Sequence, residues 1–255
     1  MAQWSGAENR RQIEQSERSF AESLLGKEYD VRVYARHGNT VRGTVTISEP
    51  GGVSVHTAYV ICDHDECANN VRCTAVGVLI DRSTDSISLV LSVDAERLYA
   101  QYEIAEAVDY WEGSNRAQVY CLREKSCGAV VYTEQNGERK YLIIRMNLGH
   151  CGLPKGHIEK FETEQETAIR EVREETGVEI ALDPVFRKSV IYSLTSRTTK
   201  ESVYFLGRFD GDDVKIQESE VSAYRLCSYE EARRCITYEN DRTILDAAEQ
   251  ILNAK

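Results

Sequence analysis

GHIEKFETEQETAIREVREETGV, residues 156–178, is the stretch on which the reading of this chain turns. It holds seven acids and three bases. Thr163 and Glu166 have capping-box spacing and Gly177 stands where a C-terminal glycine closes a helix, so the sequence predicts a helix over about 163–176. At about 100° per residue, Glu171, Glu174 and Glu175 point to nearly one side. Three carboxylates so placed suit a hard divalent cation, Mg²⁺ or Mn²⁺, which bridges protein oxygens to substrate phosphates. Arg170 is the adjacent counter-charge, expected to hold a glutamate rather than to touch substrate. Ile169 and Val172, with Ala168 nearby, would face a sheet. The competing reading is a solvated, salt-bridged acidic helix, but like charges at i,i+4 oppose an isolated helix when no cation is bound.

The complete pattern is Gly156, five residues, Glu162, seven residues, then REVREETGV from Arg170 to Val178. It resembles the box of the Nudix hydrolase family at every defining position. That resemblance implies a Nudix α/β/α sandwich with a mixed sheet over residues 118–255, and hydrolysis of a nucleoside diphosphate linked to another moiety. It also implies metal ligands: Glu171, Glu174 and Glu175, the Gly156 carbonyl, and Glu162 toward a further metal or water. LPKGH, residues 153–157, resembles the segment in diadenosine tetraphosphate hydrolases where Lys155 and His157 would reach the phosphate chain. EVSAYR, residues 220–225, resembles the stretch of that group in which Glu220, preferred here over Glu218, serves as metal ligand or base. A base must come within hydrogen-bond reach of the attacking water, and spacing leaves Glu174, Glu175 and Glu220 all open. Tyr204 and Tyr224 are candidates to stack on a base, with core or surface roles weighed equally. Cys151 stands where many relatives have Trp; it reads as an inert small residue rather than a reactive thiol.

Around the box the second half restarts with strands at Ala129–Thr133 and Lys140–Arg145 about a turn at 135–138. Strands at Arg187–Ser193 and Ser202–Phe209 follow, then an acid-rich loop and helices from near Tyr229 and Asn240. The polar segment 112–116 is the expected boundary. Before it, residues 1–117 read as a smaller α+β domain with an antiparallel sheet: a helix over 8–25 ending at Gly26, strands at 29–36, 40–47, 53–62, 73–81 and 86–93, and an acidic helix over 94–111. No family is recognised for this half. Cys62, His64, Cys67 and Cys73 offer four ligands in one region, but the spacing fits no zinc finger, so ordinary core cysteines are preferred. His37 and His56 read as structural or exposed.

The 255 residues carry a formal net charge of −11, divided as −7 over residues 1–117 and −4 over the remainder. Such a chain repels a phosphate backbone and is not a general nucleic-acid binder. Eight cysteines are too sparse for a disulfide scaffold and are expected to be reduced, and nothing resembles a secretory signal or a bilayer span, so the cytosol is the expected compartment. The leading expectation is a Mg²⁺- or Mn²⁺-dependent hydrolase that cuts dinucleoside polyphosphates, diadenosine tetraphosphate to ATP and AMP. Diphosphoinositol polyphosphates, RNA 5′ ends and nucleoside triphosphates are the alternative substrates. A non-catalytic nucleotide sensor is the alternative of another class; the first domain, residues 1–117, could form a homodimer, shape the substrate entrance or bind a regulator, and the sequence does not choose among these.

Overall fold

The structure is a computed structural model that describes residues 4–49, 52–62, 70–113, 117–135, 137–211 and 213–254. It divides into two compact units, residues 1–124 with Ser193–Thr199, and Lys125–Tyr192 with Lys200–Lys255.

In the first unit, helix α1 (Trp4–Leu24) leads into β1 (Glu28–His37), β2 (Thr40–Glu49), β3 (Gly52–Ile61), β4 (Asn70–Asp81) and β5 (Ser86–Ser92). Gly26 turns the chain between helix and sheet at φ 73°, a conformation that costs glycine little, while its N–H bonds to the Ala75 carbonyl. The strands run β1-β2-β3-β5-β4, and β4 pairs again with β1, so the sheet closes on itself. β3 and β5 are parallel, and the other described pairings are antiparallel. This is the connectivity of a five-stranded Greek-key barrel. Alternation sends Val31, Val41, Val45, Ala58 and Val60 inward against Ala21, Leu24 and Leu25. On the outside, Ile104 and Val108 of α2 (Gln101–Glu112) cover Tyr59, Leu79 and Val90.

Two expectations shift here. Helix α2 starts at Gln101, not Asp94, because the Asp94 carboxylate accepts the N–H groups of Glu96 and Arg97 in a local turn. The unit also runs past residue 117: β6 (Gln118–Cys121) pairs antiparallel with β4 and so extends the first sheet.

The second unit is a sheet with helices on both faces. Its strands are β7 (Arg123–Gln135), β8 (Glu138–Met146), β9 (Cys151–Gly152), β10 (Lys155–His157), β11 (Ala181–Ser193), β12 (Thr199–Arg208) and β13 (Val221–Cys227). The order is β11-β12-β7-β8-β13, with β10 on β7 and β9 on β8. Strand β13 falls where only an acid-rich loop was expected; its burial pattern is that of an edge strand, closed at both ends and exposed between. Helix α3 (Glu164–Thr176) covers one face through Val172, against Ala129, Val131 and Leu142. Helices α4 (Tyr229–Cys235) and α5 (Glu239–Asn253) cover the other, where Ile244, Leu245 and Ala248 meet Tyr141, Ile143 and Leu206. Leu142 and Ile143 thus point to opposite cores, which explains an apolar run without alternation in β8. The expected α/β/α sandwich is borne out. Ala168 is wholly buried as expected, whereas Ile169 is only half-buried.

No helix among the described residues is long and apolar enough to cross a membrane.

Candidate active site

Helix α3 has both predicted caps. The Thr163 hydroxyl accepts the Glu166 N–H while the Glu166 carboxylate accepts the Thr163 N–H, and Gly177 closes the last turn in the left-handed conformation at φ 68°. The helix presents its carboxylates to the short strand β10. Gly156 on β10 lies directly over Glu171: a Cβ built there would stand 2.1 Å from the Glu171 carboxylate carbon. Only glycine lets the strand come this close. One residue earlier, the Lys155 N–H donates to Glu175 Oε2 at 3.0 Å. Gly128 permits the same approach on the other side of β10, where a Cβ would meet the Pro154 carbonyl oxygen at 2.1 Å.

Arg170 fixes this arrangement. Its Nε donates to Glu162 Oε1 at 2.6 Å, and Nη2 to Glu162 Oε2 at 2.8 Å and the His157 carbonyl at 2.9 Å. Nη1 donates to Glu171 at 2.7 Å and Glu174 at 3.1 Å. The role expected of Arg170, holding glutamates, is what its contacts describe, and one guanidinium gathers three of them.

Glu162, which the resemblance directs toward a further metal or water, is hydrogen-bonded within the scaffold. Besides Arg170 it accepts the Thr167 hydroxyl at 2.8 Å and the Glu159 N–H at 3.1 Å. The Arg170 hydrogen bond, first among these, holds its carboxyl down at about 2. Glu175 is the opposite case: it is 2% exposed, and burial, followed by the charge of Glu171, pushes its carboxyl up to about 8. Burial likewise raises Glu171, opposed by Arg170 and reinforced by the charges of Glu174 and Glu220.

Glu220 is exposed in the turn before β13. Its carbonyl accepts the Asn147 N–H at 2.8 Å, and the turn is tied to α3 by the Gln217 N–H on the Glu175 carbonyl at 3.2 Å. Both Glu171 and Glu175 feel the charge of Glu220.

Does this donor set fit a divalent cation? Among the described residues no three His, Cys, Asp or Glu side chains already stand in a metal-ligating group, because Arg170 draws Glu171 and Glu174 to itself. The chemistry nevertheless fits: Glu171, Glu174, Glu175 and Glu220 are mutually repelling oxygen donors, one of them deeply buried, and a hard cation is the ligand that relieves such a cluster.

The substrate-binding candidates divide. His157 is exposed at the end of β10, its Nε2 3.1 Å from Lys200 Nζ, so β12 adds a cation that sequence reading missed. Tyr224 is 40% exposed. Tyr204 corrects the expectation of base stacking: it is wholly buried, and its hydroxyl donates to Asp241 Oδ1 at 2.6 Å. Asp241 was also missed. It is 6% exposed at the start of α5, and its other oxygen lies where a Cβ on Gly152 would come within 2.8 Å. Together with the Cys151 N–H to Thr237 Oγ1 bond and the Thr237 N–H to Cys151 carbonyl bond, both 2.9 Å, it anchors the loop that carries Lys155 and Gly156. A tyrosine and an aspartate 37 positions apart give no sequence signal of this pairing.

The Cys62, His64, Cys67 and Cys73 region, read from the sequence as ordinary core cysteines rather than a metal site, gives a metal little support. Cys62 is disulfide-bonded, and Cys73 is a free thiol that burial pushes up to about 11, so neither presents a thiolate to a shared ion. His64 and Cys67 lie outside the described residues. Of the two histidines read as structural, His37 stacks on Tyr110 with ring centroids 3.4 Å apart, and His56 bonds to the Ser54 hydroxyl at 2.7 Å.

The sequence model of the NUDIX domain matches residues 122–247. The asymmetrical bis(5′-nucleosyl)-tetraphosphatase of Rattus norvegicus is 30% identical over 141 residues, covering 50% of this chain and 95% of the relative. An RNA pyrophosphohydrolase of Erythrobacter litoralis is 34% identical over 110 residues, 37% of this chain and 67% of the relative. Among solved structures, a C. elegans Ap4A hydrolase binary complex superposes with a TM-score of 0.48 at 24% identity, over 51% of this chain and 98% of that one. The box helix, the strand that covers it and the NUDIX-domain match all lie in the second half, and through that half the chain belongs to the NUDIX family of hydrolases.

Proposed function

We propose that the second unit is a divalent-metal-dependent pyrophosphohydrolase acting on dinucleoside polyphosphates, with diadenosine tetraphosphate cut asymmetrically to ATP and AMP. The observation that carries the reading is the apposition of Gly156 and Lys155 on Glu171 and Glu175, which leaves Glu175 buried against the Lys155 N–H and Glu171 half-buried beside Arg170. Glu171, Glu174 and Glu175 would hold Mg²⁺ or Mn²⁺, which supplies charge neutralisation at the phosphate oxygens. Lys155 and His157, joined by Lys200, offer positive charge and hydrogen bonds to a polyphosphate. Glu220, exposed beside the cluster, is our choice of base: it takes the proton of the water whose oxygen attacks phosphorus as the anhydride P–O bond breaks. Arg170 is a positioning residue. The Rattus norvegicus relative, of which this chain covers 95%, supports the choice of substrate class.

The test is chromatographic product analysis with Mg²⁺ and then with EDTA, over diadenosine tetraphosphate, diadenosine triphosphate, ATP, ADP-ribose, a diphosphoinositol phosphate and a 5′-triphosphorylated RNA. Metal-dependent formation of ATP plus AMP is the expected result. Preference for the RNA end, as the name of the Erythrobacter litoralis relative describes, moves the substrate and keeps the chemistry. Absence of turnover with nucleotide binding intact rejects hydrolysis in favour of sensing.

A further inference from the structure

The sheet face turned away from α3 carries a pocket of about 300 Å³, formed by β8, β13, the chain around Gly149 and Cys151, and Cys235 of α4. Alternation decides which side chains reach it. Leu142 and Leu226 enter the core beneath α3, whereas Ile143 and Cys227 enter the one beneath α4 and α5. Arg145, Ala223 and Arg225 therefore stand on the α4 side. Arg145 is paired with Ala223 and Ile143 with Arg225, which makes the two arginines diagonal cross-strand neighbours, about 7–8 Å apart at Cα.

This placement is unusual for an acidic chain of net charge −11. Elsewhere Arg139, Arg170 and Arg187 are held by carboxylates. Arg145 and Arg225 are exposed, and among the described residues neither guanidinium has a hydrogen-bond or ion-pair partner. No Asp or Glu lines the pocket. The charge of Glu231 reaches Arg225, but that carboxylate caps α4 by accepting the Ser228 N–H at 3.0 Å. Like charges at this separation repel, and an anion between them relieves the repulsion. Beneath them the pocket is apolar, with Ile143 buried and the Cys151 and Cys235 thiols half-buried.

We propose that this pocket binds a compact phosphorylated small molecule of the nucleoside mono- or diphosphate class, its phosphates between Arg145 and Arg225 and its apolar part on Ile143, Ala223 and the two thiols. Guanidiniums grip phosphate oxygens two at a time. The volume is at the lower end of the range for ligand pockets, which admits a mononucleotide and excludes a dinucleotide. Ile144 and Tyr224 also line the pocket, so a base placed there could stack on Tyr224; the carboxylate cluster belongs to the α3 face, and the pocket, having no acid, needs no metal. The assignment does not rest on the hydrolysis proposed above.

Cys151 and Cys235 supply a readout independent of turnover. The full chain is alkylated with iodoacetamide in EDTA, and the rate at each thiol is followed by peptide mass spectrometry with and without millimolar ADP, AMP or inorganic pyrophosphate. Each variant is compared with itself, because removing an arginine alters thiol reactivity. The expected result is slower alkylation at Cys151 by about tenfold when ligand is present at roughly ten times its Kd. The Arg145→Ala/Arg225→Ala double variant should lose this protection and keep the protein's Mg²⁺-dependent turnover; Glu174→Gln should keep the protection. Equal rates with and without all three ligands overturn the assignment. So does protection that survives the double variant or disappears in Glu174→Gln, since the ligand then sits in the carboxylate site.

Discussion

Gly156→Ala tests the site through a single methyl group. The added Cβ would lie 2.1 Å from the Glu171 carboxylate, while real Cβ contacts do not fall below 3.0 Å, so the carboxylate must retreat by about 0.9 Å. It cannot move alone, because Arg170 ties it to Glu162 and Glu174. A misplacement near 1 Å in a catalytic constellation costs about 10²-fold in rate. The strain of a methyl forced into a packed site is about 1–3 kcal/mol, which for a unit of this size lowers Tm by roughly 2–10 °C. The assay pairs steady-state hydrolysis of diadenosine tetraphosphate at saturating Mg²⁺ with a thermal melt. Gly177→Ala serves as the comparison: it strains a left-handed cap at φ 68° beyond the far end of the helix and should reduce Tm with a much smaller effect on turnover. If Gly156→Ala turns over within threefold of the parent, the close packing of Gly156 on Glu171 does not set the active geometry and the reasoning fails.

Other outcomes follow from the same contacts. Arg170→Lys keeps the charge but cannot span Glu162, Glu171 and Glu174; kcat should fall at least tenfold with a destabilisation of about 1–3 kcal/mol, measured by kinetics and urea titration. Tyr204→Phe leaves the buried Asp241 carboxylate without its hydroxyl donor and should cost about 1–3 kcal/mol in a melt with KM unchanged, whereas a large rise in KM would restore the stacking role. Arg187, first, and then Lys125 hold the Glu164 carboxyl down at about 2, below its ordinary 4.5. Its contribution to stability is therefore complete above about pH 4.5 and is lost as pH falls toward 2, so Glu164→Gln should flatten the acid limb of the stability curve and leave neutral stability lower than the parent's. Removal of the metal with EDTA should abolish turnover, and added Mg²⁺ should restore it.

The helix at 164–176, its two caps and the side on which Glu171, Glu174 and Glu175 lie were all legible in the sequence, because capping, helical period and like-charge spacing are local properties of consecutive residues. The preference for Glu220 comes from its place at the head of EVSAYR, and the linear chain says nothing of its distance from the helix. Strand β13 was hidden because an edge strand with one exposed stretch resembles a polar loop until its partner β8 is known. The barrel was hidden for a related reason: closure depends on β1 meeting β4, and no local pattern encodes that long-range pairing. Tertiary structure also decided the fates of individual side chains. It placed Tyr204 in the core with Asp241, committed Glu162 to Arg170, set Gly156 on Glu171, and put Arg145 beside Arg225 with no carboxylate between them. Apart from the Glu162–Arg170 pair, eight positions apart, these are contacts between different elements, where identity and spacing give residue types but only packing determines which charges meet and which are left facing a pocket.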